Sequence, residues 1–303
     1  MSDIFLDPDG TSFAVSEVVT ASKLQSYVLD NMKSVANGLV GDGSADSDIK
    51  HAHKTGTLVA RPAASLAGRL YYATDLGVTF LDDGTRWDAI AINHRICDQF
   101  FDDFWWNASV PSTWDNVSSG GNIVAAPGVD SVLGMDTTTT ITRRAGIGDP
   151  NALFGAWDIT RIPAIWQCRV KVGSASRINE EIFIGLMGPV ATTVGSDLDT
   201  DTKKRIGFQK SDAGAEADWN SVTCDAAVVK NPITGFQNGS FHLFEIIVRT
   251  ASAIDFYIDG ALKFTHTTQI PTTTLRQVLY IDNTAAAQKF LYPDHVEFLS
   301  KRI

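Results

Sequence analysis

Ile254-Asp-Phe-Tyr-Ile-Asp-Gly-Ala-Leu-Lys-Phe-Thr-His266 is the stretch on which the fold turns. Ile254, Phe256 and Ile258 recur at every second position, the period of a strand with one dry face. Leu262 and Phe264 resume that period after a polar break. Pairing Ile258 with Leu262 and Phe256 with Phe264 puts both apolar sets on one face, which predicts a three-residue loop or bulge at Asp259, Gly260 and Ala261.

The same period appears on both sides of this hairpin. Trp166, Cys168, Val170 and Val172 alternate with Gln167, Arg169 and Lys171, giving one dry and one wet face. Ile182, Ile184 and Leu186 repeat it, as do Phe244, Ile246 and Val248, while Val278, Tyr280, Val296 and Phe298 supply closing strands. Many short strands with little helix signal across 93–303 predict a mostly β chain whose C-terminal part is a two-sheet jelly-roll sandwich.

Upstream the pattern changes. Ser22 followed by Gln25 has the form of a capping box, and Leu24, Val28, Met32, Val35 and Leu39 then fall at steps of three and four. This predicts an N-terminal helix with an apolar stripe that needs a partner. Gly38 to Asp48, rich in Gly, Ser and Asp, reads as a linker. Short β-branched and aromatic runs broken by Asp75-Leu-Gly77 and Asp82-Asp-Gly84 then predict a small β-meander, too short to bury much unaided. The organisation expected is an attachment segment with the helix (1–40), a linker with His-x-His (41–54), a β-meander collar (55–92) and the sandwich (93–303).

Composition narrows the function. A formal charge of −10 and a pI near 5.0 disfavour nucleic-acid binding. No apolar run is long enough to insert in a membrane, and the acidic start lacks the pattern of a secretory signal, which fits synthesis in a cytoplasm. Cys97, Cys168 and Cys224 match neither a disulfide set nor a paired zinc motif and are expected as buried or half-buried thiols.

Two segments carry resemblances. His51-Ala-His-Lys-Thr-Gly-Thr-Leu-Val-Ala-Arg-Pro62, with Gly68-Arg-Leu-Tyr-Tyr-Ala-Thr-Asp-Leu-Gly77 and Asp83-Gly-Thr-Arg-Trp87, resembles a module common in fibre and adhesion proteins of tailed bacteriophages. Phe101-Asp-Asp-Phe104, Phe244-Glu-Ile-Ile-Val248 and Phe256-Tyr-Ile-Asp-Gly260 look like the concanavalin-like sandwich of lectins and laminarinase-type glycosidases. Together they imply a homotrimeric tail fibre or receptor-binding protein of a virion. Its N-terminal segment would engage other virion proteins and its sandwich a host surface glycan. A capsid or tail decoration protein and a polysaccharide depolymerase are the alternatives.

Laminarinase-type enzymes place carboxylates along one strand as Glu-x-Asp-x-(x)-Glu, so that alternate residues share a face. No such string occurs: Glu180 and Glu181 are adjacent, and Glu216 and Asp218 lack a third acid. The expectation is therefore no catalytic residues and no enzyme. His51 and His53, at i and i+2 of an extended segment, point the same way, and three subunits would bring six imidazoles to one axis, a donor set for a transition metal. Trp219, between Asp218 and Asn220 in a polar stretch, is the expected exposed platform for a sugar ring, with its two neighbours as hydrogen-bonding partners.

Overall fold

The computed structural model describes residues 53–93, 97–102, 115–116, 118, 121–125, 133–137, 144–148, 161–173, 180–188, 203–210, 219–234, 239–283 and 288–301. The helix, the linker, His51 and Asp218 lie outside the described residues. No helix among the described residues is long and apolar enough to cross a membrane.

A four-stranded sheet comes first, formed by β1 (His53–Gly56), β2 (Leu70–Ala73), β3 (Val78–Asp82) and β4 (Trp87–Ile92). β2, β3 and β4 form an antiparallel meander, and β1 adds to β2 in parallel. Asp82 ties its corner together: the buried carboxylate accepts from the backbone amides of Ser65, Leu66 and Gly84 and from the Arg69 guanidinium. Burial alone would raise its pKa, but those donors outweigh it and hold the acid below its ordinary value.

The strands that follow are β5 (Cys97–Asp102), β6 (Asp115–Asn116), β7 (Asn122–Ala125), β8 (Leu133–Asp136), β9 (Arg144–Gly148), β10 (Ala164–Val172), β11 (Glu180–Met187), β12 (Arg205–Lys210), β13 (Trp219–Cys224), β14 (Val228–Ile233), β15 (Phe241–Thr250), β16 (Ala253–Ile258), β17 (Ala261–His266), β18 (Arg276–Asn283) and β19 (Phe290–Lys301). They form two antiparallel sheets. One runs β17-β16-β15-β10-β19-β8-β7, with β5 also on β19, and the other β14-β13-β12-β11-β18-β9-β6. The predicted alternations supply the core between them. Trp166, Cys168, Val170 and Val172 meet Ile182, Ile184 and Leu186, and Phe208 sits edge-on to Phe244 and Phe256 at 4.9 and 5.3 Å. Trp166 Nε1 donates across the gap to Gln277 Oε1 at 3.2 Å, which satisfies both buried groups.

The hairpin register differs from the expected one. Phe256 does pair with Phe264, but Ile258 pairs with Ala261 and Tyr257 with Leu262, with a bulge after Phe256. Asp259 and Gly260 both have positive φ (51° and 75°), so the loop is a two-residue turn with the twist hairpins favour, and the bulge absorbs the extra residue. Leu262 is consequently turned outward, 52% exposed.

The four-stranded sheet finds its neighbour on the outer side of the eight-stranded one. Leu299, Ile165 and Ile247 stand side by side on β19, β10 and β15 and pack with Leu58, Tyr71, Phe80 and Trp87. Each such side chain removed from water contributes about 1.5–3 kcal/mol, so this row alone gives a unit of this size a substantial anchor.

Candidate functional site

On the seven-stranded sheet the inward residues leave an opposite face that is neither bare nor simply polar. Phe183 and Met187 of β11, Val222 of β13 and Val278 and Tyr280 of β18 form their own apolar cluster there. Phe183 stacks on Tyr280 with ring centroids 6.1 Å apart. Gly207 makes room for this: a Cβ on it would sit 2.6 Å from the Phe183 ring. The register lays a row across five neighbouring strands, Tyr280, Phe183, Gln209, Asn220 and Pro232. One step along, Glu181 stands directly opposite Asp282. Gln209, Asn220, Glu181, Asp282 and Tyr280 are all less than a tenth exposed, so the face is enclosed.

Directly opposed residues of an antiparallel pair have Cβ atoms about 4.5–5.5 Å apart. Glu181 and Asp282 therefore stand as a cross-strand pair of acids on this face. It was not legible in the sequence because the two lie about a hundred residues apart, and a pairing between distant strands leaves no local pattern. Glu180 points the other way, into the sandwich, where the buried Lys210 and Lys289 ammonium groups both face it; Lys289 Nζ lies 3.8 Å from Oε2. That cluster is an internal ion network, whose value depends on every member being kept.

Trp219 is not the loop platform expected. It opens β13, is 4% exposed and packs against Phe244 at 4.8 Å inside the sandwich. The polar letters after it come from strand alternation: Asn220, the next residue, projects to the outer face beside Gln209. His53 opens β1 opposite Leu70. Among the described residues no group of three or more His, Cys, Asp or Glu is placed to hold a metal. Cys168 and Cys224 are buried free thiols, and burial pushes the Cys168 thiol well up.

Ser221, Thr223, Asn231 and His266 form a further polar set between the sheets. His266 Nε2 lies 2.9 Å from Ser221 Oγ and 3.0 Å from Asn231 Nδ2, and Nδ1 lies 2.9 Å from Thr223 Oγ1. Burial lowers its pKa to about 4, so the imidazole is neutral at pH 7. Ser221 is wholly buried, which makes this a packed network and not a nucleophile in reach of substrate.

No family model matches the chain, and no curated protein matches it. Solved structures do. The carbohydrate recognition domain of Emp47p aligns with 69% of this chain and 99% of its own at 10% identity and a TM-score of 0.51. A Bacillus licheniformis β-glucanase aligns with 66% of this chain and 97% of its own at 14% identity and a TM-score of 0.48. A protein of unknown function, SO2946 from Shewanella oneidensis MR-1, aligns with 68% and 87% at 14% identity and a TM-score of 0.49. The first of these likenesses shows the fold, a sandwich of antiparallel sheets. The expectation of a chain that is no enzyme is also corrected. Glucanases stand among the similar structures, and the exclusion had rested on the lack of an acid string along one strand, whereas Glu181 and Asp282 meet across two.

Proposed function

We propose that the chain recognises a host surface glycan from a trimeric appendage of a tailed-phage virion. The likeness of its sandwich to the Emp47p carbohydrate recognition domain carries the glycan reading. The phage context rests on the resemblance of the His51–Trp87 segment, and the trimer on the apolar stripe that the spacing predicts from Leu24 to Leu39.

The test is retention of the full chain on a panel of capsular and lipopolysaccharide O-chain polysaccharides. At least one should be retained. Retention of none sinks the glycan reading.

The Glu181–Asp282 couple favours a second reading, hydrolysis of the bound glycan: one acid protonates the leaving oxygen while the other carboxylate attacks the anomeric carbon, and water deprotonated by the first then displaces that carboxylate. Release of reducing ends from the retained polysaccharide, abolished by both Glu181→Gln and Asp282→Asn, is the expected result. Retention without any release overturns it.

A further inference from the structure

Where the four-stranded sheet meets the sandwich there is a cavity of about 440 Å³, within the size range of small-ligand sites. Its charges do not balance within themselves. Arg61, just past the 3₁₀ turn Leu58–Ala60, reaches into it with a side chain only 7% exposed. The guanidinium lies over the Phe80 ring at 4.5 Å and 5.9 Å from the Trp87 ring. Its Nη2 is 3.9 Å from Glu245 Oε1, too far for a hydrogen bond, and its buried Nη1 has no hydrogen-bond partner.

The other two guanidinium groups of the lining stand in close ion pairs, whereas that of Arg61 has only the long one. Arg249 meets Asp255 at 2.7 Å through Nε and again at 2.7 Å through Nη2, and Arg86 meets Asp88 at 2.8 Å. Asp255 also accepts from the Thr265 hydroxyl at 2.6 Å. Burial pushes the Glu245 carboxyl up, which weakens the foremost negative charge facing Arg61. A buried arginine stays charged, so the cavity keeps a single fork of donors awaiting an anion.

We propose that this crevice binds a sugar carrying a carboxylate, a hexuronic-acid residue of an acidic polysaccharide, with Arg61 as the anchor of that carboxylate. A carboxylate brings one charge and two coplanar oxygens to one guanidinium fork. A phosphate dianion would set surplus charge against Glu245 and Asp255. The cavity exceeds a bare ion: Tyr257 lies on its floor, and Leu262 and Val59, 52% and 48% exposed, also line it, offering apolar surface to a sugar ring and its neighbours. The inference rests on the functional reading above and gives it a glycan class and a place on the molecule.

The experiment is titration calorimetry of the full chain with glucuronate, its methyl ester, glucose and inorganic phosphate. Glucuronate should bind at least tenfold more tightly than the other three, and Arg61→Met should lower its affinity at least tenfold. Should Arg61→Met fail to fold, Leu262→Asp at an exposed position answers the same question, since a new negative charge there should weaken glucuronate and leave the melting curve unchanged. Equal binding of glucuronate and glucose, or of glucuronate and phosphate, overturns the proposal, as does glucuronate binding indifferent to the variants. Polysaccharide retention without glucuronate binding sinks this inference alone; glucuronate binding with no polysaccharide retained sinks the other.

Discussion

His266 shows how a single side chain fixes the pH at which this sandwich holds together. Its ring is 2% exposed, flanked by Ser221, Thr223 and Asn231, and held neutral because burial lowers its pKa to about 4. The unfolded chain takes up that proton near the ordinary value of about 6.5, so between pH 6.5 and 4 the unfolded state binds more protons than the folded one. Stability from this residue is therefore complete above about pH 6.5 and lost as pH falls toward 4, by up to about 3 kcal/mol. Denaturant melts across that window should show the slope, and His266→Gln should flatten it. A wild-type slope unchanged by the substitution would mean other groups set the acid limit. The residue scale is also where the letters misled: Trp219 and Asn220 sit in one polar stretch, yet the pleat sends the first into the core and the second to the opposite face.

Among elements, the β16–β17 hairpin does more than close an edge. Its tip reaches the four-stranded sheet, where a Cβ on Gly260 would come within 2.0 Å of the Thr85 carbonyl oxygen, and the residue has φ of 75°. Gly260→Ala must then both strain the turn and push the two units apart. A loss of at least about 1 kcal/mol is expected, with faster hydrogen exchange in β2 to β4 than in β11 and β12. Uniform exchange throughout, or no loss, would show that the tip contact is dispensable. Periodicity made the strands legible because alternation is local, and Phe256 with Phe264 was read correctly. The positions of Leu262, Glu181 and Asp282 were not, since a bulge and a pairing between distant strands decide them, and neither leaves a mark on neighbouring letters.

For the whole molecule the open question is what the stripe Leu24, Val28, Met32, Val35 and Leu39 packs against. The four-stranded sheet has already found its partner in the row Leu299, Ile165 and Ile247, so its burial makes no demand on a second copy. The proposed trimer would thus rest on the predicted helical segment alone, whose one-sided apolar stripe the same stripe in other copies would cover. Native mass measurement should give three copies. Val28→Asp with Val35→Asp should reduce them to one without changing the melting of the sandwich. A trimer brings His51 and His53 of three chains together, so bound transition metal measured in the intact assembly should disappear in the doubly substituted His51→Ala, His53→Ala chain. A stable monomer at micromolar concentration would leave the stripe without a role and remove the metal site with it.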